Sequence, residues 1–215
     1  MLTVTVLTGR RPDLLADTLN TLRHHRPSLL ADAHVAVLAN GNDLPTRKVL
    51  DRHADVIDHL DTTDRLLTIG PAISRLADHA YLSGSPFWFH LEDDWRTTTG
   101  HDWITQAAAI LDRHNDVAQV RARVAAEPVM AKHRITRQPI VWEQREGWRH
   151  AAHAHLTFNP SLIRTADIVH GWPCTSEVDA MRRWVNAGRE AVAQLDPGVF
   201  AHTGDLSLRR TVGKE

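Results

Sequence analysis

The apolar positions fall into short runs separated by polar turns, and the period of each run predicts its element. Residues 2–7 are apolar or β-branched, a strand signature, and stop at Thr8, Gly9, Arg10 and Arg11. Pro12 suits the first turn of the helix that follows, in which Leu14, Leu15, Thr18, Leu19 and Leu22 recur at helical spacing to residue 25. Residues 34–39 predict a second strand, stopped by Asn40, Gly41, Asn42 and Asp43, residue types that tolerate turn geometry. Helices over 44–53 and 69–82 alternate with short strands over 55–59 and 87–91. The 69–82 helix gathers Ile73, Leu76, Ala77 and Ala80 on one face.

A helix over 101–114 and a strand over 117–120 continue the alternation, and from 121 to 150 the periodicity weakens. Beyond it the pattern predicts a strand at 155–159, a short helix at 161–168 and a helix at 176–187 capped by Ser176 and closed by Gly188. Short strands at 192–195 and 199–201 complete the core, and residues 207–215 form a polar tail. Strands alternating with helices imply an α/β protein whose central sheet is mostly parallel, with helices on both faces. The 215 residues suit a single domain, with 1–115 and 116–206 as its two halves.

The most abrupt change of pattern lies at the end of the 87–91 strand, where Glu92, Asp93 and Asp94 follow an apolar run directly. Three adjacent carboxylates repel one another and are costly to desolvate; a divalent cation with oxygen ligands relieves both penalties and also holds a diphosphate. Ligands of open α/β sheets collect outside the carboxyl ends of strands, where this triplet falls. An acidic, solvated loop is the plain alternative.

These segments, taken in order, resemble the family 2-like glycosyltransferases of the GT-A fold. Thr8 to Pro12 is similar to their Thr-x-Asn-Arg-Pro opening, and Asn40 to Asp43 to their second nucleotide-facing loop. Thr68, Ile69, Gly70, Pro71 and Ala72 resemble the glycine-containing helix start that approaches the nucleotide, and Glu92–Asp94 the Glu-Asp-Asp variant of the Asp-x-Asp motif. The resemblance covers roughly residues 3 to 115, with weaker matches to 205. It implies a glycosyltransferase that moves a sugar from a UDP-linked donor onto a hydroxyl acceptor, with Mn²⁺ or Mg²⁺ as cofactor. On that reading Thr8, Gly9, Arg10, Asn40, Asp43 and Gly70 line the donor pocket, Glu92 or Asp93 meets the ribose, and Asp94 holds the metal. Val199 to Gly204 resembles a late His-x-Gly segment, which makes His202 the second metal ligand. Glu177 and Asp179 resemble the acidic pair after the acceptor loop, with Glu177 preferred as the base that deprotonates the acceptor. Acids at a helix start are also favoured by the helix dipole alone.

Composition adjusts this picture modestly. A net charge of −1 provides no global field for nucleic acid or membrane, although the 121–149 segment holds seven Arg or Lys against three Glu, with Trp142 and Trp148 between them. That segment keeps open a non-catalytic polyanion or nucleic-acid binder, or an anionic acceptor; a nucleotidyltransferase is the enzymatic alternative. Lone Cys174 excludes an internal disulfide and a thiolate metal cage. His153 and His155, alternate residues that share a face if they lie on a strand, form an incomplete zinc pattern without a third ligand. No basic leader precedes the first strand and no apolar run reaches the roughly 20 residues of a membrane span, so the expected location is cytoplasmic.

Overall fold

The computed structural model describes residues 2–29, 32–41, 43–98, 102–124, 132–158 and 160–203. The first half runs β1 (Leu2–Thr8), α1 (Pro12–Leu29), β2 (Ala33–Ala39), α2 (Leu44–Arg52), β3 (His59–Thr62), α3 (Ile69–Leu82), β4 (Phe87–Glu92), β5 (Trp95–Thr97) and α4 (Trp103–Arg113). The second half runs β6 (Val117–Arg121), β7 (Glu143–Arg145), β8 (Trp148–Ala151), β9 (Ser161–Arg164), α5 (Glu177–Asn186), β10 (Ala191–Leu195) and β11 (Phe200–His202). One large sheet has the order β3-β2-β1-β4-β9-β6-β10-β8-β7, and β11 pairs with β5 in a separate ribbon. Strands β3, β2, β1, β4, β6, β10 and β7 run one way; β9 and β8 run against them.

Strand β1 is buried along its whole length, as a central parallel strand must be. Val4 and Val6 belong to the core that also holds Leu15 and Leu19 of α1, whereas Leu7 joins the core of Ile73, Leu76 and Ala77 on α3. The two apolar faces of β1 thus explain the helices on both sides of the sheet. Its parallel register against β4 sets Leu7 opposite Glu92, so the loop after β1 and the acidic triplet emerge at the same sheet edge.

Three sequence expectations fail, each where tertiary contacts override local pattern. The strand expected at 55–59 divides into a 3₁₀ turn, Ala54–Val56, and β3, which begins at His59. Asp58 anchors that junction, since its carboxylate accepts from the Val35 amide at 2.8 Å. Of the strand expected at 155–159, residue 159 lies outside the described residues, and residues 155–158 are a loop whose backbone is held by side chains of β6: Gln119 Nε2 donates to Thr157 O at 2.8 Å, and the Arg121 guanidinium donates to His155 O. The helix expected at 161–168 begins instead as β9, because β4 and β6 flank it and supply ladder partners on both edges. Only then does the chain turn into the 3₁₀ helix Thr165–His170. Within the aperiodic 121–150 stretch, β7 and β8 form a hairpin turned at Gly147, whose φ of 74° is a glycine conformation.

Candidate functional site

The site grows from the carboxyl ends of β1 and β4. Asp93 turns inward: its Oδ2 accepts from the Thr8 hydroxyl at 2.7 Å and from the Gly9 amide at 3.1 Å. Its Oδ1 meets the Arg11 guanidinium, and the Asp93 side chain is fully enclosed. The backbone of the turn is equally fixed, because the Thr18 hydroxyl of α1 bonds the carbonyls of Asp93 at 2.9 Å and Trp95 at 2.8 Å. Asp93 is therefore the pin that holds the β1 loop to the β4 turn. Thr8, 0% exposed and bonded to that pin, shares the structural role. Neither the Thr8 nor the Asp93 side chain, both expected at the donor site, faces open space in this arrangement. Gly9 does: a Cβ placed on it meets nothing within 4 Å.

Asp94 is the carboxylate that keeps an unused valence. Arg11 Nη1 donates to its Oδ2 at 2.7 Å, and His202 Nε2 lies 3.3 Å from the same oxygen. Its Oδ1 is buried with no hydrogen-bond partner; Asp93 Oδ1 also accepts no hydrogen bond, but it faces the Arg11 guanidinium. Burial pushes the Asp94 pKa up, but His202 and Arg11 outweigh it and hold the carboxyl below its ordinary value. In Asp93 the balance is reversed: burial prevails over Arg11, Thr8 and Gly9, and the pKa is raised. Glu92 has little help from cations; burial first, then the charge of Asp94, raises it to about 7. Two neighbouring acids of the triplet are thus pushed apart by their surroundings, a common arrangement at sites of chemistry.

The far end of the chain reaches this point through β11. Its pairing places His202 opposite Trp95, with the rings 4.8 Å apart edge to face. The Thr203 amide and hydroxyl both donate to the Asp94 carbonyl, at 2.7 and 2.9 Å. The buried orphan oxygen of Asp94 and the adjacent imidazole suit Mn²⁺ or Mg²⁺, with the oxygen as the hard donor. Among the described residues no three His, Cys, Asp or Glu side chains converge on one point, so any such ion would complete its shell with phosphate oxygens and water. The same observation leaves the zinc pattern of His153 and His155 without support.

The second loop is built differently from the sequence expectation. Asn40 is buried, donates its side-chain amide to Leu67 O at 2.9 Å and accepts from Leu67 N at 2.7 Å, which ties β2 to the segment before α3. Asp43 caps α2 through the Thr46 amide at 2.9 Å, and that bond, with the Thr46 side chain, lowers its pKa. Both are structural in this arrangement. Arg10, in the left-handed region at φ 59°, donates from Nε to Gly41 O at 2.8 Å and bridges the first two loops at the surface. Gly70 lies in a tight contact. A Cβ there would stand 2.2 Å from the Thr175 carbonyl carbon, so this glycine lets α3 meet the loop before α5.

On the second half, Glu177 opens α5 with its carboxylate held at both oxygens, by Arg134 Nη1 at 3.0 Å and the Phe158 amide at 3.2 Å. Its charge is close enough to contribute to the raised pKa of Glu92. Asp179 instead accepts from the Thr175 amide at 2.9 Å and hydroxyl at 3.2 Å, bonds that lower its pKa and close the helix start. It is a capping acid. Part of the basic segment is engaged within the fold: Arg121 is buried and pushed down to about 10 by that burial, and the guanidinium carbons of Arg121 and Arg149 lie 5.9 and 5.8 Å from the Trp142 ring centre. Arg149 and Arg145 face Asp196 and Glu143. Arg11, Arg134 and Thr203 are the site residues that the sequence pattern did not single out; for Arg11 the signal was a cation directly before the first helical turn.

No family model matches the chain, and no curated protein does. Solved structures match in fold. The first 349 residues of S. aureus TarS superpose with a TM-score of 0.63 at 13% identity, covering 94% of this chain and 60% of that one. Glucosyl-3-phosphoglycerate synthase from Mycobacterium tuberculosis, in complex with Mn²⁺, UDP and glucosyl-3-phosphoglycerate, gives 0.57 at 12% identity, covering 94% of this chain and 71% of that one. The mannosyltransferase PcManGT from Pyrobaculum calidifontis, in complex with GDP-Man and Mn²⁺, gives 0.54 at 15% identity over 76% of this chain and 44% of its own. The chain spans about three fifths or less of the TarS structures it matches. The fold is that of the GT-A glycosyltransferases. Among the described residues no helix is long and apolar enough to cross a membrane.

Proposed function

We propose that the protein is a glycosyltransferase that moves a sugar from a nucleotide diphosphate donor, a UDP-sugar on our reading, to a hydroxyl of its acceptor. The observation that carries this is Asp94: a buried carboxylate with an unpartnered oxygen, beside His202, at the carboxyl edge of β4 in a GT-A fold. Neighbours in that fold are transferases, solved with UDP, UDP-GlcNAc or GDP-Man.

Asp94 and His202 would hold Mn²⁺ or Mg²⁺, which when bound supplies positive charge against the diphosphate leaving group. Gly9, with open space above it, lets the donor approach the β1 loop closely, and Arg10 with the Gly41 turn borders the place for the base. Glu92, partly exposed at the same turn, is the residue we assign to a ribose hydroxyl. Glu177 is the base: it takes the acceptor's hydroxyl proton as the oxygen bonds to the sugar carbon and the bond to the diphosphate breaks. Arg134 and the Phe158 amide orient its carboxylate for that transfer.

The test is calorimetric titration of UDP in Mn²⁺ and in EDTA, with the wild type and Asp94→Asn. Asn keeps the shape of the side chain and an acceptor for Arg11. Metal-dependent UDP binding is expected in the wild type, with a loss of at least tenfold in the variant. Equal affinity in the two proteins would remove Asp94 from the metal site. Absence of UDP binding in either medium would overturn the function itself.

A further inference from the structure

We propose that Arg11 is an internal counterion for the donor site: its guanidinium occupies the Asp93–Asp94 pair until a divalent cation and diphosphate displace it. This rests on the reading of Asp94 as a metal ligand. One guanidinium bridges two neighbouring carboxylates, Nη2 against Asp93 Oδ1 and Nη1 against Asp94 Oδ2 at 2.7 Å. A planar fork with fixed donors suits that geometry; a lysine ammonium, a single point charge, does not. The exposure is lopsided, with the Asp93 and Asp94 side chains 0% and 6% exposed and that of Arg11 40%. The acids are thus enclosed in the fold while their cation reaches them from the solvent side, the direction in which it would be displaced.

The position of Arg11 points the same way. It immediately precedes Pro12, the first residue of α1, and a helix N-terminus disfavours positive charge. The carboxylates, not the helix, account for a cation there. Without a cation the two enclosed acids would repel each other, so the apo protein needs one. Yet Arg11 does not saturate the pair, because Asp94 Oδ1 remains without a partner. An arriving divalent ion therefore has a ligand atom to engage before the arginine leaves. Once it binds, repulsion between the two cations expels the guanidinium toward the mouth, where the diphosphate's charge would receive it. Metal and nucleotide binding are then coupled: each lowers the cost of displacing Arg11 for the other.

Mn²⁺ binding to the whole chain, measured by electron paramagnetic resonance without nucleotide and then with UDP, tests this in the wild type, Arg11→Gln and Arg11→Lys. Arg11→Gln is expected to bind Mn²⁺ alone at least tenfold more tightly than the wild type, and to show less enhancement by UDP. Its melting temperature should fall in EDTA and recover in Mn²⁺ by more than that of the wild type. Arg11→Lys keeps the charge, which protects the fold, but gives up the fork, and should bind Mn²⁺ a few-fold more tightly. If both variants bind Mn²⁺ no better than a wild type that still binds Mn²⁺ and UDP together, the counterion role falls and the transferase reading stands. If no protein binds Mn²⁺ with or without UDP, both fall.

Discussion

His90 lies in the middle of the sheet with a single hydrogen-bonded ring nitrogen. The Trp88 indole donates to the Thr5 hydroxyl at 2.7 Å, and that hydroxyl shares a hydrogen bond with His90 Nδ1 at 2.9 Å. The other ring nitrogen, Nε2, is buried and unpartnered, so a second proton on the ring would add a buried charge with no partner. Burial pushes the His90 pKa down to about 3. Since an unfolded histidine titrates near 6.5, the unfolded chain binds a proton that the folded chain refuses between these values. Stability from this residue is complete above about 6.5 and is lost as the pH falls toward 3. Between pH 7 and pH 5 the loss amounts to about 2 kcal/mol. His90→Gln, whose amide can donate to or accept from Thr5 and does not titrate, should flatten that part of the profile in urea melts. Parallel profiles for the two proteins would show that the ring is protonated at no cost. Donor residues pose the same problem of reading as His90. Thr8, Asn40 and Asp93 have the right types at the right places along the chain, and only the three-dimensional partners reveal that their polar atoms are already engaged.

Elements were legible where local period and tertiary demand agree. Strands β1, β2 and β4 and helices α1 and α3 follow their apolar spacing because each packs one continuous face into a core. Their parallel register then carries the three motifs to one edge, so the broad position of the site follows from the order of strands. The second half was less legible because β9 is inserted antiparallel between β4 and β6, and its eight-residue neighbourhood has helical spacing. Side chains of β6 bond the loop after β8, an arrangement with no periodic signature. The contact between α3 and the start of α5 is likewise invisible in the chain until Gly70 is seen against Thr175 and Ser176. Both neighbours there are backbone, which cannot rotate aside, so Gly70→Ala should cost about 1–3 kcal/mol by overpacking. Because Glu177 begins α5, the shift should lower sugar transfer more than UDP affinity. Gly9→Ala, with nothing within 4 Å of the new methyl, is the control and should melt like the wild type. A wild-type melting temperature for Gly70→Ala would mean that the two helices are not in this contact.

At the scale of the whole molecule, the site joins residues from opposite ends of the chain, and β11 is the element that makes the join. Phe200 anchors it, its ring 5.3 Å from Phe89 and 5.4 Å from Trp103, inside a core shared by the two halves. Main-chain bonds continue the attachment, from Thr98 N to Val199 O and from Val124 N to Phe200 O, each at 2.7 Å. His202, two residues beyond that anchor, reaches Asp94 only if the strand is seated. Two substitutions separate seating from ligation. Phe200→Ala removes a buried aromatic ring, so it should cost about 3–5 kcal/mol and also weaken Mn²⁺ binding, because the imidazole is no longer held in place. His202→Ala removes a partly exposed ring at the end of the strand, so it should leave the melting temperature within a few degrees of the wild type while weakening Mn²⁺ binding at least as much. Both are to be measured with UDP present, at a temperature where the Phe200 variant is still folded by circular dichroism. Full Mn²⁺ affinity in Phe200→Ala would show that the core does not deliver the ligand. Full affinity in His202→Ala, with Asp94→Asn still defective, would leave the imidazole as a hydrogen-bond partner of Asp94 and assign the remaining metal positions to phosphate oxygens and water alone.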